Sequence, residues 1–130
     1  MRFLLDTCTL LWYFQGSDRI PGTLRDMLTD PANEVFVSDV SVLEIVLKHG
    51  LGRITLPRPP SVLLPQLIER HLIDELPLTR QAIFRLESLP LHHKDPFDRL
   101  LIAQALEHNL QIATPDPLIR QYEVDTTWAR

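Results

Sequence analysis

The sequence predicts an α/β fold, a three-layer α/β/α sandwich around a mainly parallel central sheet. Short β-rich runs alternate with stretches of helical spacing along the whole chain, and parallel neighbours need crossover helices of this kind. Composition agrees, since 45% hydrophobic and 23% charged residues describe an ordinary globular chain. The length of 130 residues suits a single domain over 1–130, because halving it would leave each part too small to bury a core.

Each element follows from local pattern. Arg2 to Leu5 reads as a short buried strand ended by Asp6 and Thr7, after which Leu10, Leu11 and Phe14 give helical spacing up to Gly16. A second helix is expected over Thr23 to Leu28, stopping near the Asp30-Pro31 turn. Glu34 to Val37 is β-rich, and Ser38 to Lys48 returns to helical spacing through Val42, Ile45 and Val46, with Gly50 as a stop. Gly50 to Pro60 is a turn-rich connection, and Pro65 predicts that the next helix starts there and runs to His71. Ile73 to Leu76 is a strand, Thr79 caps a helix through Ala82, Ile83 and Leu86, and Leu89 to Lys94 is a loop. A long helix over Pro96 to His108 precedes a strand at Leu110 to Ala113, a turn after Pro117, and an extended piece around Val124 to Trp128.

Bulk charge narrows the function classes. The net charge of −4 lacks the overall basic character of many nucleic-acid binders, but an acidic pocket filled with cations reverses the local sign where an anionic substrate arrives. The lone Cys8 can form no internal disulfide, which suits a cytoplasmic home, and the expectation is that it is packed. The apolar start is interrupted by Asp6 and is too short to span a bilayer, so neither a leader nor a membrane association is expected.

In a parallel sheet the strand ends converge on one edge, where ligands bind. Asp6 closes the first strand, Asp116 follows the strand ending near Thr114, Glu44 lies about two turns into its helix, and Asp98 is in the first turn of the long helix. Each also has a structural reading. Asp95 followed by Pro96 is a helix start; Asp116-Pro117 repeats that pattern; Glu44 can pair with Lys48 or Ser41; Asp6 or Thr7 can cap the first helix. Asp98 is shorter than the Glu or Gln of a capping box, so capping explains it less well. Four clustered carboxylates need compensation, and an all-oxygen set without His or Cys favours Mg²⁺ or Mn²⁺ over zinc. His92 and His93 read as solvated loop residues.

The stretches LLDTCTLLW, SVLEIVLKHGLGRITLP, HHKDPFDRLLIAQALEHNL and IATPDPLIRQY, in this order, resemble the PIN-domain ribonucleases, and specifically VapC-type toxins of bacterial toxin-antitoxin pairs. The resemblance implies a PIN-like fold and a metal-binding acidic quartet of Asp6, Glu44, Asp98 and Asp116, with Thr7 and Thr114 as supporting hydroxyls. Asp95 is carried as a cap and a supporting group of the site. It further implies a Mg²⁺-dependent endoribonuclease in which a metal-activated water leaves 5′-phosphate and 3′-hydroxyl ends, an RNA substrate, a homodimer, a cognate small antitoxin and a bacterial cytoplasmic location. The alternative is an inactive PIN-like module that binds RNA or a protein. Lys48, Arg53, Lys94 and Arg99 are the nearest basic residues for steering phosphates. Among Leu10 to Phe14 there are more apolar side chains than one buried helical face accepts, leaving some for an interface. A phosphorylated receiver domain is disfavoured, because Leu76, Pro77 and Leu78 follow the third strand where it would need an Asp.

Overall fold

The structure is a computed structural model and describes residues 1–128. Its strands are β1 (Arg2–Leu5), β2 (Glu34–Ser38), β3 (Asp74–Leu76), β4 (Gln111–Ala113) and β5 (Thr126–Thr127). Its helices are α1 (Thr7–Gln15), α2 (Gly22–Thr29), α3 (Asp39–Gly50), α4 (Pro60–Arg70), α5 (Arg80–Phe84) and α6 (Pro96–His108), with 3-10 turns at Arg85–Ser88 and Ile119–Gln121. The sheet runs β3-β2-β1-β4-β5 and every pair is parallel.

The central position of β1 explains its composition. Phe3, Leu4 and Leu5 are fully buried because both faces of this strand are covered. Phe3 and Leu5 pack with Leu10 and Tyr13 of α1, Leu24 and Leu28 of α2, and Leu64 and Ile68 of α4. Leu4 points the other way, against Leu101, Ile102 and Ala105 of α6. Each fully buried Leu or Ile in these layers contributes about 1.5–3 kcal/mol relative to exposure. Among the described residues no helix is long and apolar enough to cross a membrane.

Chain order reverses at β1. The sequence passes from β1 to β2 on one side and later returns to place β4 on the other, which opens a crevice beyond the strand ends. Leu5 is level with Ala113 across the β1–β4 pair. Asp6 and Thr114, each the next residue, are therefore delivered side by side.

Local signals account for most element ends. Gly16 adopts φ 64 and donates its N–H to the carbonyls of Trp12 and Tyr13, closing α1. Asn109, at φ 54, does the same for α6. The helix expected from Pro65 instead begins at Pro60 and carries Pro65 inside it. Pro65 is the sixth of eleven residues and is exposed, as is Ser61, whose carbonyl is left without the N–H that a residue other than proline at 65 would give it, while burial of Leu63, Leu64 and Ile68 offsets that loss. α3 runs through Gly50 to a cap at Leu51. The helix after Thr79 tightens into a 3-10 turn at Arg85, and only Thr126–Thr127 of the final extended piece pairs with the sheet. In α1, Leu10 and Tyr13 are buried, and Leu11, Trp12 and Phe14 are half-buried against the same core.

Candidate metal centre

Asp6 leaves β1 in extended geometry and becomes the cap of α1, its Oδ1 accepting the Thr9 N–H at 2.8 Å. The Thr114 hydroxyl donates to its other oxygen. Asp6 is only 4% exposed, and burial raises its pKa, partly opposed by the Thr114 and Thr9 bonds and reinforced by the charge of Asp116. The cap and the buried acid are thus one residue, with one oxygen turned to the helix and the other to the Thr114 hydroxyl.

Glu44 is equally buried, at 4% exposure. The Thr7 hydroxyl lies 2.6 Å from its Oε1 and 3.0 Å from the Ser41 hydroxyl, while Lys48, one turn on, pairs with its Oε2. The Glu44–Lys48 pair anticipated from the sequence forms, but it reaches inward rather than decorating a solvated face. Glu44 raises the pKa of Lys48, chiefly through their hydrogen bond.

Asp95 caps α6, accepting the N–H groups of Phe97 at 2.8 Å and Asp98 at 3.4 Å. Asp98 then sits in the first turn, with its side chain 17% exposed. Burial pushes its pKa up to about 7, with Asp95, Asp6 and Glu44 adding to the rise and His93 opposing it. Asp116 lies in the turn after β4, where its N–H is held by the Thr114 hydroxyl at 3.0 Å and its Oδ1 accepts the Leu118 N–H at 2.8 Å.

These residues meet. Asp6, Thr7, Glu44, Asp95, Asp98 and Asp116 line one open pocket of about 410 Å³, together with Cys8, Lys48, Pro115 and Pro117. Thr114 is fully buried directly behind Asp6. Strand ends and helix starts from four separate stretches of sequence therefore converge on the carboxyl edge of the sheet.

Three expectations change. Cys8 is exposed rather than packed, because the buried face of α1 is carried by Thr7, Leu10 and Tyr13 and Cys8 is left on the pocket wall. Proximity to Asp6 adds to desolvation in pushing the thiol up to about 11, which leaves it a poor nucleophile. Arg99 is engaged away from the pocket lining: its guanidinium donates to the carbonyls of Leu86 and Leu89, at 3.4 and 3.2 Å, and ties the preceding loop to α6. Arg53 and Lys94 are exposed.

The third is His93. His92 is exposed, with its ring edge-on to Tyr122, but His93 folds inward and is 12% exposed at its side chain. Its Nε2 lies 2.9 Å from Asp98 Oδ2 and 3.3 Å from Asp116 Oδ2. One donor atom from each of these three residues lies within 4.8 Å of the others. The sequence held a signal for this: a residue two positions before a helix cap is within reach of the helix's first turn, where Asp98 stands.

A profile of the PIN domain family matches residues 3–125. Curated proteins searched by sequence give no significant match. Similar solved structures include VapBC2 from Rickettsia felis bound to a DNA fragment from its promoter, at 14% identity, 98% coverage of both chains and TM-score 0.73. DNA-bound VapBC from Salmonella typhimurium aligns over 99% of both chains, at 14% identity and TM-score 0.71. FitAcB from Neisseria gonorrhoeae gives 21% identity, 95% coverage of both chains and TM-score 0.64. At these identities the likeness is one of fold.

Proposed function

The chain belongs to the PIN domain family, and from that premise we propose that it is a metal-dependent endoribonuclease, the VapC-type toxin of a toxin-antitoxin pair. The observation that carries the proposal is the convergence of Asp6, Glu44, Asp98 and Asp116 on one solvent-open pocket. Buried carboxylates whose proton affinities are raised by desolvation and by one another, as at Asp6 and Asp98, are stabilised by a cation. An oxygen-rich donor set suits a hard ion, Mg²⁺ or Mn²⁺. These four residues would hold it.

When bound, the ion would lower the pKa of a water and offset charge developing on a phosphodiester. The chain's own groups do the rest. Thr114 and the Thr9 N–H fix Asp6; Thr7, itself bonded to the Ser41 hydroxyl, fixes Glu44; and the Asp95 cap fixes the start of the helix that carries Asp98. Lys48, 40% exposed at the pocket wall, supplies a positive charge beside the acidic cluster where an RNA phosphate would approach. The reading includes an RNA substrate, a homodimer and a small antitoxin as partners, the last by analogy with the VapBC pairs that share the fold.

The test is cleavage of a structured RNA pool by purified protein in Mg²⁺ or Mn²⁺, with EDTA and Asp98→Asn as controls. Metal-dependent cuts bearing 5′-phosphates, lost in Asp98→Asn, are the expected result. A folded, metal-replete protein that leaves RNA intact would support a non-cutting RNA- or protein-binding module instead.

A further inference from the structure

We propose that His93 is a positioning residue whose Nε2–H donates to Asp116 while the same nitrogen stands against the facing oxygen of Asp98, presetting both carboxylates for a cation, without being a ligand itself. The proposal rests on the metal-binding reading of the pocket.

Asp98 and Asp116 come from different elements, the first turn of α6 and the turn after β4. Two carboxylates so placed repel each other unless a donor stands between them. His93 stands there, with Nε2 at 2.9 Å from one Oδ2 and 3.3 Å from the other. The ring is held from behind. Its backbone N–H donates to the Tyr122 hydroxyl at 3.0 Å, and its Nδ1 accepts the Asp95 N–H at 3.2 Å.

That last bond decides the role. A ring nitrogen facing a backbone N–H must be the bare acceptor, so in the neutral ring the hydrogen is on Nε2, directed at Asp116 Oδ2, with Asp98 Oδ2 in contact off the N–H axis. A nitrogen carrying hydrogen cannot coordinate a metal. For Nε2 to become a ligand the hydrogen would have to move to Nδ1, where it would oppose the Asp95 N–H, two donors face to face. The clustering of His93 with Asp98 and Asp116 therefore marks a donor bonded to one metal-binding carboxylate and in contact with a second, an arrangement whose loss typically costs about 10–100-fold in metal affinity.

The experiment combines long-range ¹H–¹⁵N NMR of His93 in the metal-free protein with Mn²⁺ binding followed by electron paramagnetic resonance. The wild type, His93→Gln and His93→Ala are compared. Glutamine places an amide donor near the position of Nε2; alanine places none. The expected results are an Nε2–H tautomer, no nitrogen directly bound to Mn²⁺, affinity within about threefold of wild type for His93→Gln, and a loss of about 10-fold or more for His93→Ala. An Nδ1–H tautomer, a directly bound ¹⁴N signal that disappears in His93→Gln, or unchanged affinity in His93→Ala would overturn the proposal. An Nδ1–H tautomer in a protein that binds Mn²⁺ and cuts RNA would remove the His93 role alone. A wild type with the stated tautomer that binds no Mn²⁺ would remove the functional reading and this role with it.

Discussion

Replacing Asp98 by asparagine should make the metal-free protein more stable while removing its response to metal. The folded carboxyl is moved from 3.8 to about 7, and at roughly 1.4 kcal/mol per tenfold change in proton affinity this sets a ceiling of about 4 kcal/mol. Residual solvent at the 17% exposed side chain and loss of the close electrostatic contact with His93 reduce the net gain to about 1–2 kcal/mol. In a domain of this size that is a rise of about 3–10 °C in Tm. The sign follows from linkage. With its folded pKa above the unfolded one, Asp98 costs nothing at low pH, and its cost grows as pH rises from about 4 to 7 and then levels off. Melting curves in EDTA should therefore show the gap between wild type and Asp98→Asn at pH 4.5 reduced to roughly a quarter of its full value at pH 8. Adding Mg²⁺ at ten times its dissociation constant should stabilise the wild type by about 1.4 kcal/mol and the variant by much less, narrowing or reversing the gap. An asparagine variant less stable than wild type in EDTA at pH 8, or a gap independent of pH, would refute the reasoning.

Thr114→Val removes the hydroxyl donor to Asp6 and should cost about 1.5–3 kcal/mol at pH 8, measured by urea denaturation, with a smaller cost once the pH is low enough to protonate Asp6, whose pKa burial raises. Asp95→Ala removes the α6 cap and should cost about 1 kcal/mol in the same assay, yet metal-dependent RNA cleavage should persist, unlike in Asp98→Asn. Arg99→Met frees the carbonyls of Leu86 and Leu89; it should lower stability by about 1–3 kcal/mol while leaving the salt dependence of RNA binding unchanged.

The parallel architecture was legible because its signals are local. Phe3 to Leu5, Glu34 to Val37 and the long run after Asp95-Pro96 each announce their element by pattern alone. The same locality exposed Asp6, Glu44, Asp98 and Asp116, since each stands at a strand end or in an early helical turn. Pro65 misled because a proline rule describes the backbone and omits the apolar burial that offsets it. Cys8 and Arg99 were misplaced for a related reason: composition states what a side chain prefers, while the packing of α1 and of the loop before α6 states where it can go. His93 was missed because only one of its two carboxylate partners, Asp98, is close in sequence, while the turn after β4 brings the other, Asp116, to it.

The C-terminal segment has a consequence for the order in which the molecule is completed. β5 is two residues long, yet the Thr127 carbonyl accepts the Thr114 N–H at 3.1 Å, and the Tyr122 hydroxyl receives the N–H groups of both His92 and His93. During synthesis the amino-terminal portion emerges first. A nascent chain that has just released β4 already holds most of its oily interior, but it lacks Asp116, the tyrosine that anchors His93 and the carbonyl that anchors Thr114. The acidic mouth is finished only after that interior is in place.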